Sequence, residues 1–106
     1  MKFLILQQID REVPIEMWTK LLPAQFKYYD DLEKEGKIEV SYHLIGRKGN
    51  LLIVNVDSDE ELSSIIGEDP FFFHSKREVY PLTTRETHKK SLKKLLKRDE
   101  PLTGRQ

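Results

Sequence analysis

Residues 37–56, KIEVSYHLIGRKGNLLIVNV, decide the fold. In the first half Ile38, Val40, Tyr42 and Leu44 alternate with Glu39, Ser41 and His43, the period of two that gives a strand one apolar and one polar face. Gly46-Arg47-Lys48-Gly49-Asn50 carries turn chemistry, and Leu51 to Val56 is a second strand-forming run, so the segment predicts an antiparallel hairpin. The second strand does not alternate. Leu51-Leu52-Ile53-Val54 is apolar on both sides, and a strand of that kind needs cover on both faces.

Outward from the hairpin, residues 2–9 (KFLILQQI) read as a strand that ends at the polar break Asp10-Arg11-Glu12. Pro14 then opens a helix over 15–35, whose apolar stripe is Trp18, Leu22, Phe26, Tyr29 and Leu32. Pro23 inside it predicts a kink, and Gly36 ends it. Downstream, Asp57-Ser58-Asp59 offers cap oxygens for a second helix carrying Leu62, Ile65 and Ile66, stopped by Gly67 and Pro70. Residues 76–82 (KREVYPL) form a last strand, which Pro81 assigns to a sheet edge or a strand end. Leu92, Leu95 and Leu96, among six lysines and arginines from Lys89 to Arg98, predict a basic amphipathic helix, with the final eight residues fraying. The order β-α-β-β-α-β is that of an α+β, ferredoxin-like fold over residues 1–83, followed by an extra C-terminal helix and tail over 84–106.

The 106 residues suit one domain. No cysteine is present, which excludes disulfides, thiolate metal sites and cysteine nucleophiles. The apolar run Phe3 to Leu6 is too short for a leader or a membrane span, and a cytoplasmic location is expected. Charge is uneven: residues 1–84 hold 10 Lys and Arg against 15 Asp and Glu, residues 85–106 hold 8 against 3. The basic end reads as a solvated helix face, and neither nucleic acid nor membrane is an expected partner. Two helices shield one face of a four-stranded sheet, so the half-apolar opposite face predicts a homodimer or higher homo-oligomer, with sheets facing each other across a cavity.

Five segments carry a resemblance: LEKEGKI at 32–38, the Gly46 turn, VNVDSDEEL at 54–62, DPFF at 69–72 and EVYPL at 78–82. In their order and spacing the chain resembles the muconolactone delta-isomerase family. The resemblance implies a dimeric α+β barrel of ferredoxin-like subunits and a proton-transfer isomerisation, on a small organic acid or lactone, that uses no cofactor. It assigns structural parts to the matched Gly46, Pro70, Phe71, Pro81 and Leu82. The family's tryptophan and basic residues around the ligand are replaced in this hairpin by Ile38-Glu39-Val40-Ser41-Tyr42-His43, which keeps open a non-catalytic binding or assembly module of the same fold.

By alternation Glu39, Ser41 and His43 leave the core together and face the cavity between sheets, joined by parity with Asn55, Glu78 and Tyr80. Glu39 and His43 are the expected catalytic pair, since a carboxylate and an imidazole both shuttle protons. Ser41, Asn55, Glu78 and Tyr80 are the expected substrate contacts. The plainer alternative is a row of solvated strand residues. Ser41 lacks a nucleophile-elbow signature, and His43, His74 and His88 lack metal-ligand spacing, so no metal site is expected. Phe71-Phe72-Phe73 reads as core and interface packing.

Overall fold

The computed structural model describes the backbone of residues 1–104 and side-chain burial through residue 97. Its elements are β1 (Lys2–Ile9), α1 (Ile15–Lys34), β2 (Ile38–His43), β3 (Gly49–Asn55), α2 (Asp59–Gly67), a 3-10 turn (Phe72–His74), β4 (Ser75–Leu82) and α3 (Arg85–Gly104). The four strands make one antiparallel sheet in the order β2-β3-β1-β4, the ferredoxin-like order, with β4 and its Pro81 on an edge. α3 runs through the segment expected to fray as far as Gly104, and residues 105–106 lie outside the described residues. No described helix is long and apolar enough to cross a membrane.

Local chemistry sets the helix ends. Gly36 adopts φ +75°, the left-handed conformation that glycine takes without strain. Its N–H reaches Glu33 O, and that of Lys37 reaches Leu32 O at 2.8 Å, which closes α1. Ser58 caps α2, its hydroxyl accepting from Glu61 N–H at 3.1 Å. Pro23 sits within α1 without dividing it.

α1 and α2 cover one sheet face. Ile5, Ile38, Leu52 and Val54 from the sheet pack with Tyr29 and Leu32 of α1 and Ile65 of α2. A smaller cluster joins Ile9, Val13 and the fully buried Phe71, whose ring lies 5.4 Å from that of Trp18. The aromatic run thus divides, with Phe71 in the core and Phe73 85% exposed. Phe26, expected in the α1 stripe, is exposed, because the stripe's inner positions are taken by Gln25, Tyr29 and Leu32. The other sheet face carries Leu4, Leu6, Leu51 and Ile53, all half-buried, with no helix above them.

Pairing of β2 is irregular. Ile38 lies opposite Val54, but Val40 lies opposite Ile53, so Glu39 is an extra residue in a one-residue bulge. Beyond it every side chain of β2 changes face, since one residue of shift inverts a period of two. Tyr42, expected in the core, is 67% exposed for this reason.

Gly49 fixes where β3 begins. A Cβ there would sit 2.6 Å from the backbone oxygen of Gln7 on the neighbouring strand. Gly49→Ala must therefore push β3 from β1, and we expect a loss of about 1–3 kcal/mol, the scale of an overpacked site, read by urea unfolding. Unchanged stability would show that the strands do not approach this closely.

Candidate active site

Strand register lines up four polar side chains across the helix-covered face: His43 of β2 opposite Asn50 of β3, Asn50 opposite Gln7 of β1, and Gln7 opposite Arg77 of β4. The next row is Ser41, Leu52, Ile5 and Val79, and Leu52 and Ile5 belong to the core. One polar row thus lies within an otherwise apolar interior. Gln7 and Asn50 are buried in it, with His43 exposed at one end.

Above the row sits Tyr29. Its hydroxyl accepts from Gln25 Nε2 at 3.1 Å and Asn50 Nδ2 at 3.2 Å, and it makes a short hydrogen bond to Asp69. Gln7 Oε1 is 2.9 Å from the same oxygen. A phenol has one proton, and the carboxylate outcompetes the amide carbonyl for it. Burial, reinforced by the charge of Asp69, pushes the Tyr29 hydroxyl far above the ordinary tyrosine range and keeps it neutral. Asp69, 8% exposed, takes part in none of the ion pairs among the described residues. Its charge is met by hydrogen bonds: Tyr29, the Phe71 N–H at 2.8 Å and Gln25 Nε2 at 3.1 Å. Asn50 Oδ1 is the only buried side-chain polar atom without a partner among the described residues.

This cluster floors a cavity of about 590 Å³ between α1 and the β2–β3 end of the sheet. Trp18, Leu22 and Phe26 give it an apolar wall, Ser41 and His43 come from the sheet, and Asp30 and Glu33 come from α1. Apolar walls with a few converging polar groups, at this volume, suit a small organic molecule. A wider cleft of about 710 Å³ near Arg11, Arg47 and Lys76 mixes these with Asp10, Glu12 and Glu78. It has no comparable buried cluster and is the poorer candidate.

The expected site residues fall into two groups on opposite faces. Ser41 and His43, past the bulge, enter the helix-side cavity and not a space between sheets. Glu39 stays on the open face, where Lys2 Nζ holds its carboxylate at 2.9 Å, so the sheet separates Glu39 from His43. Asn55, Glu78 and Tyr80 share the open face as expected, and the charge of Glu78 raises the Tyr80 hydroxyl. Asn55 nevertheless pairs opposite Lys2, which lies between it and β4. Sequence reading passed over Gln7, Gln25, Asn50 and Asp69. A signal for two of them exists in retrospect: Gln7 occupies a core position in the series Phe3, Ile5, Gln7, Ile9, and Gln25 lies three residues after Leu22 and four before Tyr29 on the inner stripe of α1. Among the described residues no group of three or more His, Asp or Glu side chains is arranged to hold a metal ion.

Residues 1–89 match the family model for muconolactone delta-isomerase. The chain is 32% identical over 74 residues to muconolactone delta-isomerase 1 of Acinetobacter lwoffii, covering 70% of this chain and 77% of that one. To muconolactone delta-isomerase of Rhodococcus opacus it is 27% identical over 75 residues, 71% and 81% of the two chains. A crystal structure of muconolactone isomerase superposes with a TM-score of 0.71 at 22% identity, covering 80% of this chain and 91% of the other. A 5-chloro-2-hydroxyhydroquinone dehydrochlorinase from Burkholderia phenoliruptrix, solved with 2,5-dihydroxybenzoquinone, gives 0.66 at 23% identity, covering 82% and 98%. At these identities the two structures establish the shared fold.

The Tyr29 cluster carries two predictions. Tyr29→Phe removes one oxygen and leaves the amides of Gln25 and Asn50 and the carboxylate of Asp69 short of partners, so we expect a loss of about 1–3 kcal/mol in urea unfolding. A neutral effect would mean that water replaces the hydroxyl. Stability should also depend on alkaline pH. Tyr28, whose hydroxyl donates to Ile65 O at 2.7 Å, is likewise raised, chiefly by burial. Both groups bind their protons more tightly folded than unfolded, so their stabilisation is complete below the ordinary value of 10.0 and declines as pH rises beyond it. Unfolding between pH 9 and 11.5 should show the decline (on the order of these bounds, bracketing a free tyrosine), and Tyr29→Phe should flatten it.

Proposed function

Since the chain belongs to the muconolactone delta-isomerase family, we propose that it is a proton-transfer isomerase that needs no cofactor and acts on a small organic acid or unsaturated lactone in the cavity beneath α1. The observation that carries this reading is the placement of His43 and Ser41, through the bulge, at the mouth of an apolar cavity floored by fixed amides. Moving the double bond of an unsaturated lactone takes a proton from the carbon γ to the carbonyl and returns one at the α carbon. Charge develops on the carbonyl oxygen in between. An imidazole at the rim accepts and returns the proton, and the Ser41 hydroxyl is a donor for the developing charge. The carboxylates on the same cavity are Asp30 and Glu33, which take the partner's part that alternation had given to Glu39.

A second reading keeps the cavity and drops the chemistry. It is favoured by the Tyr29 hydroxyl, whose capacity is already used within the protein, so that the floor shapes the cavity without offering a reactive group. Under either reading the apolar open face, with Leu4, Leu6, Leu51 and Ile53, joins a second copy in a sheet-to-sheet homodimer, with Asn55, Glu78 and Tyr80 inside the contact. A cytoplasmic location suits a cysteine-free chain acting on a metabolite.

Turnover of an unsaturated lactone, followed by ultraviolet absorbance, should fall by ~10²–10⁴ in His43→Ala, the scale of losing a general acid or base. Glu39→Gln should leave it unchanged. Equal losses in both would return the chemistry to the open face, and lactone binding by thermal shift without any turnover would favour the binding module. Light scattering should give twice the 12.6 kDa chain mass or a multiple of it, and Ile53→Asp should reduce it to one chain.

A further inference from the structure

The cavity beneath α1 is lined by charge of one sign. Among the described residues on its walls Asp30 and Glu33 are carboxylates, and none is a lysine or an arginine. With Phe26 they stand at i, i+4 and i+7 of α1, which puts the three on one side of the helix. Both carboxylates are exposed, and neither is in an ion pair among the described residues. Below them Asp69 adds to the same field: after burial, its charge is the largest cause that raises the Tyr29 hydroxyl. Of the described lining residues, His43 alone can carry positive charge.

A second observation points to a ligand of the same kind. Asn50 lines the cavity and is 9% exposed, its Nδ2 is taken by Tyr29, and its Oδ1 has no hydrogen-bond partner among the described residues. A buried acceptor in that state is completed by a donor and gains nothing from another oxygen. The apolar wall agrees, because aromatic ring faces attract cations. Lys48 Nζ already stands 5.0 Å from the centroid of the Trp18 ring, and Phe26 and Tyr42 line the cavity with exposed rings. A bare metal ion fits less well, since hard cations take several oxygen ligands and among the described residues no three His, Asp or Glu side chains converge.

We propose that the cavity takes a small ring compound bearing a protonated amine and discriminates against one bearing a free carboxylate. The ring packs against Trp18 and Leu22, and the amine supplies N–H donors to walls that offer acceptors. This rests on the cavity being the binding site; of the acid and the lactone named above it keeps the lactone, with an amino group in place of the acid. The one nearby cation does not reverse the preference. Even in water a unit charge in contact with a carboxylate changes binding about fivefold, by attraction for the amine and by repulsion for the acid, and two carboxylates outweigh a single Lys48 held over Trp18.

The test uses full-length protein and a matched pair of saturated lactones, aminomethyl-γ-butyrolactone and carboxymethyl-γ-butyrolactone, titrated by calorimetry. At low salt the amine should bind at least ~10-fold more tightly than the acid, from the opposite sign of two carboxylate contacts. The gap should narrow in molar salt, where screening shortens the reach of charge to a few ångströms. Asp30→Asn with Glu33→Gln in one protein should close it, with urea unfolding unchanged because both side chains are exposed. Equal or tighter binding of the acid overturns the proposal, and its loss in Lys48→Ala would make Lys48 a carboxylate anchor instead. An amine preference that survives the Asp30 and Glu33 substitutions also overturns it, and so does binding of neither compound. Because neither saturated lactone can be isomerised, amine binding without turnover of any unsaturated lactone would leave this inference standing and remove the isomerase reading.

Discussion

Keeping one carboxylate out of water organises this molecule. Asp69 is buried without a cation, and an ionised group in that position is tolerated only when its oxygens are occupied by donors. The donors come from separate parts of the chain: Tyr29 and Gln25 from α1, and the Phe71 N–H from the segment before β4. Tyr29 in turn accepts from Asn50 Nδ2 on the sheet, with Gln7 of β1 beside it. One charge thereby ties the helix layer to the sheet and to the segment before β4, and fixes the height and rotation of α1 above the cavity. Apolar packing alone, by Ile5, Leu52 and Ile65, would allow α1 to slide; directional hydrogen bonds do not.

The same cluster explains how a small domain maintains a cavity. Trp18 and Leu22 reach the Phe71 cluster on one side, and Tyr29 and Leu32 reach the main core on the other. Between them Gln25 Nε2 is held by Tyr29 and Asp69, and Asn50 Nδ2 by Tyr29, and side chains tied in this way resist collapse inward. Preorganisation of this kind lets a binding surface meet a ligand without reordering itself. His43, at the open end of the row, is the exposed member. A family fold with altered strand residues can therefore retain the cavity while changing which groups face it.

The two sheet faces divide the remaining work. Lys2 and Glu39, Glu78 and Tyr80 sit among leucines and isoleucines on the open face, a mixture suited to a contact between copies and too apolar for water alone. The helix face would keep the cavity on the outside of such a dimer, reachable by solvent and lined by Asp30 and Glu33 of α1. The proposed site and the proposed sheet contact are thus separated by the thickness of one β-layer.

Much of this was legible in the residues. Alternation placed β2, strand-forming composition bounded by polar breaks placed β1 and β3, Gly36 and Ser58 marked helix ends, Pro81 marked an edge, and the doubly apolar Leu51–Val54 run announced a sheet with two buried demands; each is a local preference that a short window contains. The family resemblance rested on turn and cap segments of the same local kind. What the window does not contain is register. Whether Val40 lies opposite Ile53 or one residue away is settled in the pairing of β2 with β3. That choice, made by close packing between distant strands, inserts Glu39 as a bulge and turns Ser41 and His43 from the open face to the cavity. The sequence by itself determined which elements form and in what order, because backbone preferences act over a few residues. Only the tertiary structure decided which side chains share a site, because a single-residue shift between strands costs little locally and inverts every side chain beyond it.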